Sequence, residues 1–224
     1  MTLAKPINKY IDYIDAPEDT FEQYVEKALK YDFRCVFANL QEYATGRAML
    51  EGSDIILAGA IDFPQGTMTL EEKLARFEEY AACGFTEIDY VLNQESVENR
   101  DFDAIEHEMT TIADFCRERG ITDKVIVEMC KLDGDDVAKR RVCEIALEAK
   151  PGFLKTSTGR SFGGAKLQDV QLMREVLGDA VAIKAAGGIH NYEEAFAFIE
   201  AGASALGASA GIAIVEGAPE DERR

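Results

Sequence analysis

Histidine is nearly missing from this chain: His107 and His190 are the whole supply among 224 residues. A zinc centre built on several histidines is therefore not expected. Basic residues are also short, with 24 Lys and Arg against 42 Asp and Glu and a formal charge of −18. Such a surface repels nucleic acid backbones and anionic membranes, so neither is expected as a partner. The five cysteines (35, 83, 116, 130 and 143) show no CxxC spacing and read as reduced, mostly buried thiols of the cytosol. Apolar runs such as "DIILAGAI" (54–61) stop well before the ~20 residues of a membrane span. Residues 1–19 lack the uninterrupted apolar core of a signal peptide, so a cytoplasmic location is the expectation. No linker or low-complexity tract breaks the chain. With 47% hydrophobic residues it reads as one domain, 1–224, ending in a polar tail over about 217–224 that is expected to fray.

What is present alternates. Strand-like runs at 9–14, 35–39, 54–63, 87–93, 124–129, 152–156, 180–185 and 204–208 are separated by helical patterns at 18–31, 41–50, 69–83, 101–119, 134–149, 166–178 and 191–201. Parallel βαβ units follow, and two architectures compete, a closed (β/α)8 TIM barrel and an open doubly wound sheet. Eight evenly spaced strands and the absence of a GxGxxG turn after the first favour the single TIM barrel, an α/β fold.

Two stretches repeat one arrangement. "GFLKTSTGRSFGGA" (152–165) and "AVAIKAAGGI" (180–189) each run apolar residues into a lysine and then into small residues and glycines. Lys155 and Lys184 fall on adjacent strands, on the face where barrel active sites form, with strands ~4.8 Å apart. One such lysine alone would read as snorkelling out of the barrel, but two argue for a shared pocket. A lysine nucleophile has to be neutral, and keeping an ordinary one neutral at pH 7 costs ~4.6 kcal/mol. A neighbouring ammonium and a dry pocket lower that cost, so one lysine is expected to form a Schiff base while the other stays protonated. Asp89, among apolar residues of "TEIDYVLN", either faces these lysines or a helix N-terminus, and Asp12 in "YIDYI" raises the same question. The glycine loops after strands seven and eight suggest an anion site at Gly187, Gly188, Gly207 and Ser209, with Arg160 adding charge; helix capping is the other reading of those glycines. The 159–166 stretch is not a P-loop, since the Gly-Lys-Ser/Thr ending is missing.

Together "GFLKTSTGRSFGGA", "AIKAAGGI", "TEIDYVLN" and "LGASAGIAI", with "KVIVEMC" and "IDFPQG", resemble deoxyribose-phosphate aldolase over about residues 33–215. The resemblance implies a class I, metal-free and cofactor-free aldolase on a TIM barrel. It would reversibly cleave 2-deoxyribose 5-phosphate to acetaldehyde and glyceraldehyde 3-phosphate. By motif match Lys155 would be the Schiff-base lysine, Lys184 the lysine that perturbs it and Asp89 the proton-relay aspartate, with Thr158 among the substrate contacts. The partner implied is a small phosphorylated aldehyde or sugar, and a homo-oligomer fits. The chain departs from the family at Tyr13, where histidine is usual, at Phe37, where many relatives carry cysteine, and in a tail without tyrosine. Two further readings stand beside it: a related Schiff-base aldolase for another phosphorylated sugar or keto compound, and a sugar-phosphate binding barrel without catalysis.

Overall fold

A computed structural model describes residues 3–160 and 162–223. Eight parallel strands close into a barrel in chain order: β1 Ile11–Tyr13, β2 Cys35–Phe37, β3 Ile56–Ile61, β4 Glu87–Val91, β5 Thr122–Ile126, β6 Phe153–Lys155, β7 Ala182–Ala186 and β8 Ala205–Ala208. The TIM-barrel expectation holds, and β8 pairs back onto β1 through Asp12 and Gly207.

The helices are α1 Phe21–Tyr31, α2 Tyr43–Met49, α3 Leu70–Cys83, α4 Gln94–Asn99, α5 Phe102–Arg119, α6 Asp136–Ala149, α7 Leu167–Leu177, α8 Tyr192–Glu200 and α9 Gly211–Gly217. Their starts follow local chemistry. Thr20 and Thr69 close capping boxes with Gln23 and Glu72, and Asn93, Asp101, Asp135 and Asn191 each accept the backbone N–H three residues on. The short helices α4 and α9 carry too little periodicity to stand out in the sequence. The fifth strand begins at Thr122, ahead of its apolar run, and it ends at Ile126, because Glu128 turns left-handed (φ 55°) and Met129 opens a 3-10 turn.

Side chains alternate across each strand. Ile11 and Tyr13, Ile88 and Tyr90, Leu154, and Ile183 and Ala185 belong to the continuous apolar core. The intervening residues are charged and buried: Asp12, Asp89, Lys155 and Lys184 are each at most 4% exposed. Apolar packing thus stands on one side of these strands, and the ionic groups gather on the other, inside the barrel. The segment read as a fraying tail carries a 3-10 turn, Glu220–Glu222, and Glu222 is buried, accepting from the Tyr192 hydroxyl and the Leu3 N–H. Residue 224 lies outside the described residues. Among the described residues no helix is long and apolar enough to cross a membrane.

Candidate active site

The register puts Lys155 directly opposite Lys184, and Asp89 opposite Lys124. Asp89 Oδ2 accepts from Lys155 Nζ at 2.8 Å and from Lys184 Nζ at 2.9 Å. Asp89 therefore faces the lysines rather than a helix terminus. Lys184 is pinned from below by Asp12 at 2.6 Å. Lys124 reaches Glu87 at 2.6 Å, Asp89 at 3.2 Å and Asp12 at 3.3 Å, while Arg34 bridges Asp12 and Glu87. The contacts form one connected network of four cations (Arg34, Lys124, Lys155, Lys184) and three carboxylates (Asp12, Glu87, Asp89).

That imbalance has a chemical consequence. With all groups ionised the buried network carries one surplus positive charge, and discharging Lys155 removes it. Burial is the main force lowering the Lys155 ammonium, reinforced by Lys184 and Lys124 and opposed by Asp89, and the result is a pKa of about 8. Burial pushes Asp89 the other way, but Lys155, Lys184 and Lys124 outweigh it and hold the carboxyl well below the usual range. Lys124 stays charged: its burial is overcome by Asp12 and the other anions around it. Of the network, Lys155 is the member placed to open onto a ligand. It lines a cavity of about 500 Å³ together with Asp89, whereas Lys184 and Lys124 lie beneath it, fully buried.

The cavity also takes Thr158, Arg160, Gly187, Gly188, Gly207 and Ser209 into its wall, whereas Lys184 and Asp12 are buried behind it and do not line it. Arg160, Gly188 and Ser209 are exposed at its rim. Gly207 sits inside β8, and a methyl group there would come within 3.4 Å of Lys184 Cε and 3.0 Å of Ala186 Cβ. Its missing side chain makes room for the buried lysine. Gly159 and Gly187, both at positive φ, pack backbone against backbone: a Cβ on either would lie within 2.9 Å of the other's Cα. The two glycine loops are thereby fused into one wall.

The hydroxyls after Lys155 divide in two. Ser157 Oγ donates to the Ala186 carbonyl at 2.9 Å, so the 3.0 Å contact between Thr156 and Ser157 uses the Thr156 proton, while Thr156 Oγ1 accepts the Ala186 N–H at 3.2 Å. Thr156 and Ser157 knot β6 to β7 and hold Lys155 and Lys184 in register. Thr158 alone of the three faces the cavity.

Aromatic rings complete the surroundings. Phe37 lies over Lys184 at 4.8 Å and Phe63 over Lys155 at 5.4 Å. The Tyr24 hydroxyl donates to the Tyr13 carbonyl at 2.6 Å and accepts the Phe37 N–H at 2.9 Å, fixing the top of β2. Of the two departures on the first strands, Phe37 forms part of the cavity wall, whereas Tyr13 is buried against Phe33 and Tyr24. Ile14, Pro17, Ala60 and Ile189 add apolar wall, with Asp15 and His190 exposed at the mouth.

Sequence reasoning missed Lys124, Glu87, Arg34 and Glu128. A signal existed for Glu87: it lies two residues from Asp89 on one strand, the spacing that puts both on one face. Lys124 opens the apolar run 124–129, a position that carries no mark of burial in the sequence.

No protein-family model matches the chain. The chain is 40% identical over 204 residues to the deoxyribose-phosphate aldolase of Lactobacillus acidophilus, covering 91% of this chain and 85% of that protein. It is 35% identical over 223 residues to the deoxyribose-phosphate aldolase of Thermococcus kodakarensis, covering 97% and 99%. Among solved structures, the tetrameric deoxyribose phosphate aldolase of Aeropyrum pernix superposes with a TM-score of 0.81 at 26% identity, over 94% of this chain and 89% of that one. Orotidine 5'-phosphate decarboxylase of Pyrococcus horikoshii matches at a TM-score of 0.59 and 14% identity, over 88% of each chain, a likeness of fold alone.

Proposed function

The chain belongs to the deoxyribose-phosphate aldolase family, and from that premise we propose that it reversibly cleaves 2-deoxyribose 5-phosphate to acetaldehyde and glyceraldehyde 3-phosphate, with Lys155 as the Schiff-base nucleophile. The observation that carries the reading is the contact of Lys155 and Lys184 with a single oxygen of Asp89, at 2.8 and 2.9 Å, at the floor of the cavity.

Neutral Lys155 Nζ attacks the C1 carbonyl of the open-chain sugar, and loss of water from the carbinolamine leaves a protonated imine. That cation restores the surplus charge of the network beside Asp89, which stabilises it. A base removes the C3 hydroxyl proton, the C2–C3 bond breaks, and its electron pair flows into the imine. Glyceraldehyde 3-phosphate leaves and an enamine remains. Protonation at C2 followed by hydrolysis releases acetaldehyde and frees Lys155. Asp89, shared between Lys155 and Lys184, is the group we assign to proton relay, and Lys184 keeps Lys155 dischargeable.

For the phosphate we assign Arg160, the Gly187–Gly188 backbone and Ser209, which stand together at the rim. Gly207 serves this site by leaving space for Lys184, and Thr158 contacts substrate nearer to Lys155. The whole chain acts as one domain, in the cytoplasm, as a homo-oligomer. Support for the last point is the A. pernix relative, described as a tetramer.

The test is Lys155→Met. Turnover of 2-deoxyribose 5-phosphate should fall by at least ~10⁴-fold while binding of the sugar phosphate persists, since the substitution removes the nucleophile and leaves the rim intact. A variant retaining most of its activity would refute the assignment.

A further inference from the structure

Glu128 is a buried carboxylate, 1% exposed, that the reaction as written does not use. It stands just past β5 in the left-handed region, at φ 55° and ψ 61°, where a residue with a side chain is uncommon. Such a backbone persists where something holds it, and here it aims the carboxylate under the Lys155 loop. Thr158 Oγ1 donates to Glu128 Oε2 at 2.6 Å, and the Cys130 thiol lies at 3.5 Å from the other oxygen. Thr158 is 7% exposed and lines the cavity.

A threonine hydroxyl has one proton and two lone pairs. The proton is committed to Glu128. One lone pair takes the Arg160 N–H at 3.2 Å. What remains toward the cavity is a single acceptor. A phosphate oxygen, itself an acceptor, cannot satisfy it, whereas a substrate hydroxyl can.

We infer that Glu128 is a positioning residue that fixes Thr158 as a hydrogen-bond acceptor, so that Thr158 selects a hydroxyl-bearing substrate rather than holding its phosphate. The inference rests on the aldolase reading above. In the synthetic direction, the hydroxyl in question is the one next to the carbonyl of the acceptor aldehyde. The arrangement also separates two kinds of recognition around one cavity: Arg160 and the glycine loops face the anion, and the buried carboxylate keeps Thr158 turned toward a donor.

The experiment compares two acceptor aldehydes with acetaldehyde as donor: glyceraldehyde 3-phosphate and 3-oxopropyl phosphate, which lacks only the hydroxyl. The readout is the ratio of their kcat/KM values. Glu128→Leu removes the acceptor of the Thr158 proton, which then turns into the cavity. The ratio should fall roughly 10- to 100-fold, the size of one well-placed hydrogen bond. Glu128→Gln, whose amide oxygen still accepts, should keep the ratio within about threefold of the parent protein. Thr158→Val should lower the ratio as far as Glu128→Leu does, and it carries the test if Glu128→Leu does not fold. An unchanged ratio in Glu128→Leu or Thr158→Val would overturn the inference, as would a Glu128→Gln variant that loses as much as Glu128→Leu. Failure of the aldolase reading itself looks different, because the unaltered protein would then form no product with either aldehyde.

Discussion

Replacing Lys184 with methionine tests the electrostatic part of the site. The Lys155 and Lys184 nitrogens lie 2.8 and 2.9 Å from the same Asp89 oxygen, so they are at most about 5.7 Å apart. At an effective dielectric of ~20, two unit charges at that distance repel by roughly 3 kcal/mol. One pH unit corresponds to ~1.36 kcal/mol, so removing the Lys184 charge should raise Lys155 by ~2 units. Starting from about 8, the ammonium would titrate near ~10. The neutral fraction at pH 7 then drops from roughly one in ten to one in a thousand, and imine formation with acetaldehyde should slow ~100-fold. The assay is the rate of borohydride-trapped adduct as a function of pH. Lys184→Met should shift the inflection by ~2 units and recover most of the parent rate above pH 10. A slow variant whose inflection has not moved would refute the electrostatic role and leave Lys184 only a part in proton transfer. Asp12 keeps Lys124 and Arg34 as partners in this variant, so its charge is not stranded.

Other expectations follow from the same geometry. Ser209→Asp places a carboxylate at the rim of the cavity and should raise KM for 2-deoxyribose 5-phosphate about tenfold or more, with the acetaldehyde adduct still forming; an unchanged KM would move the phosphate elsewhere. Gly207→Ala should cost about 1–3 kcal/mol in thermal unfolding and slow imine formation, because the new methyl crowds Ala186 and Lys184; a variant with unchanged stability and rate would contradict that packing. Asp123 is raised to about 6, chiefly by burial, and one of its oxygens has no hydrogen-bond partner among the described residues. Its folded-state pKa exceeds the unfolded value, so its ionisation penalty grows as pH rises from about 4 to about 6 and is fully present above that. Asp123→Asn should therefore raise the melting temperature at pH 8 and leave it nearly unchanged at pH 4, and a lower melting temperature at pH 8 would contradict the sign.

The barrel and the reacting trio were legible because each left a local mark. Lys155 and Lys184 end apolar runs before glycine loops, and Asp89 interrupts an apolar strand. The groups that set their charge state were not, because Lys124 and Glu87 stand at or near strand starts, where a charged residue ordinarily meets water. Here those ends point into the barrel and bury both. Arg34 precedes β2 and joins the network only through the barrel's closure, which brings Asp12 and Glu87 to it from strands far apart in sequence. Gly207 read as a phosphate-loop glycine, yet its need for space is set by the Lys184 stem on the neighbouring strand. Glu128 gave no sign at all, since its role depends on a left-handed backbone and on a threonine 30 residues further along.

The central claim is that Lys155 forms the covalent intermediate. Borohydride reduction in the presence of 2-deoxyribose 5-phosphate, followed by peptide mapping, tests it most directly. A stable adduct is expected on the peptide holding Lys155, and a two-carbon adduct there would report cleavage of the C2–C3 bond. An adduct on Lys184 or on no lysine, from protein that still binds the sugar phosphate, would contradict it.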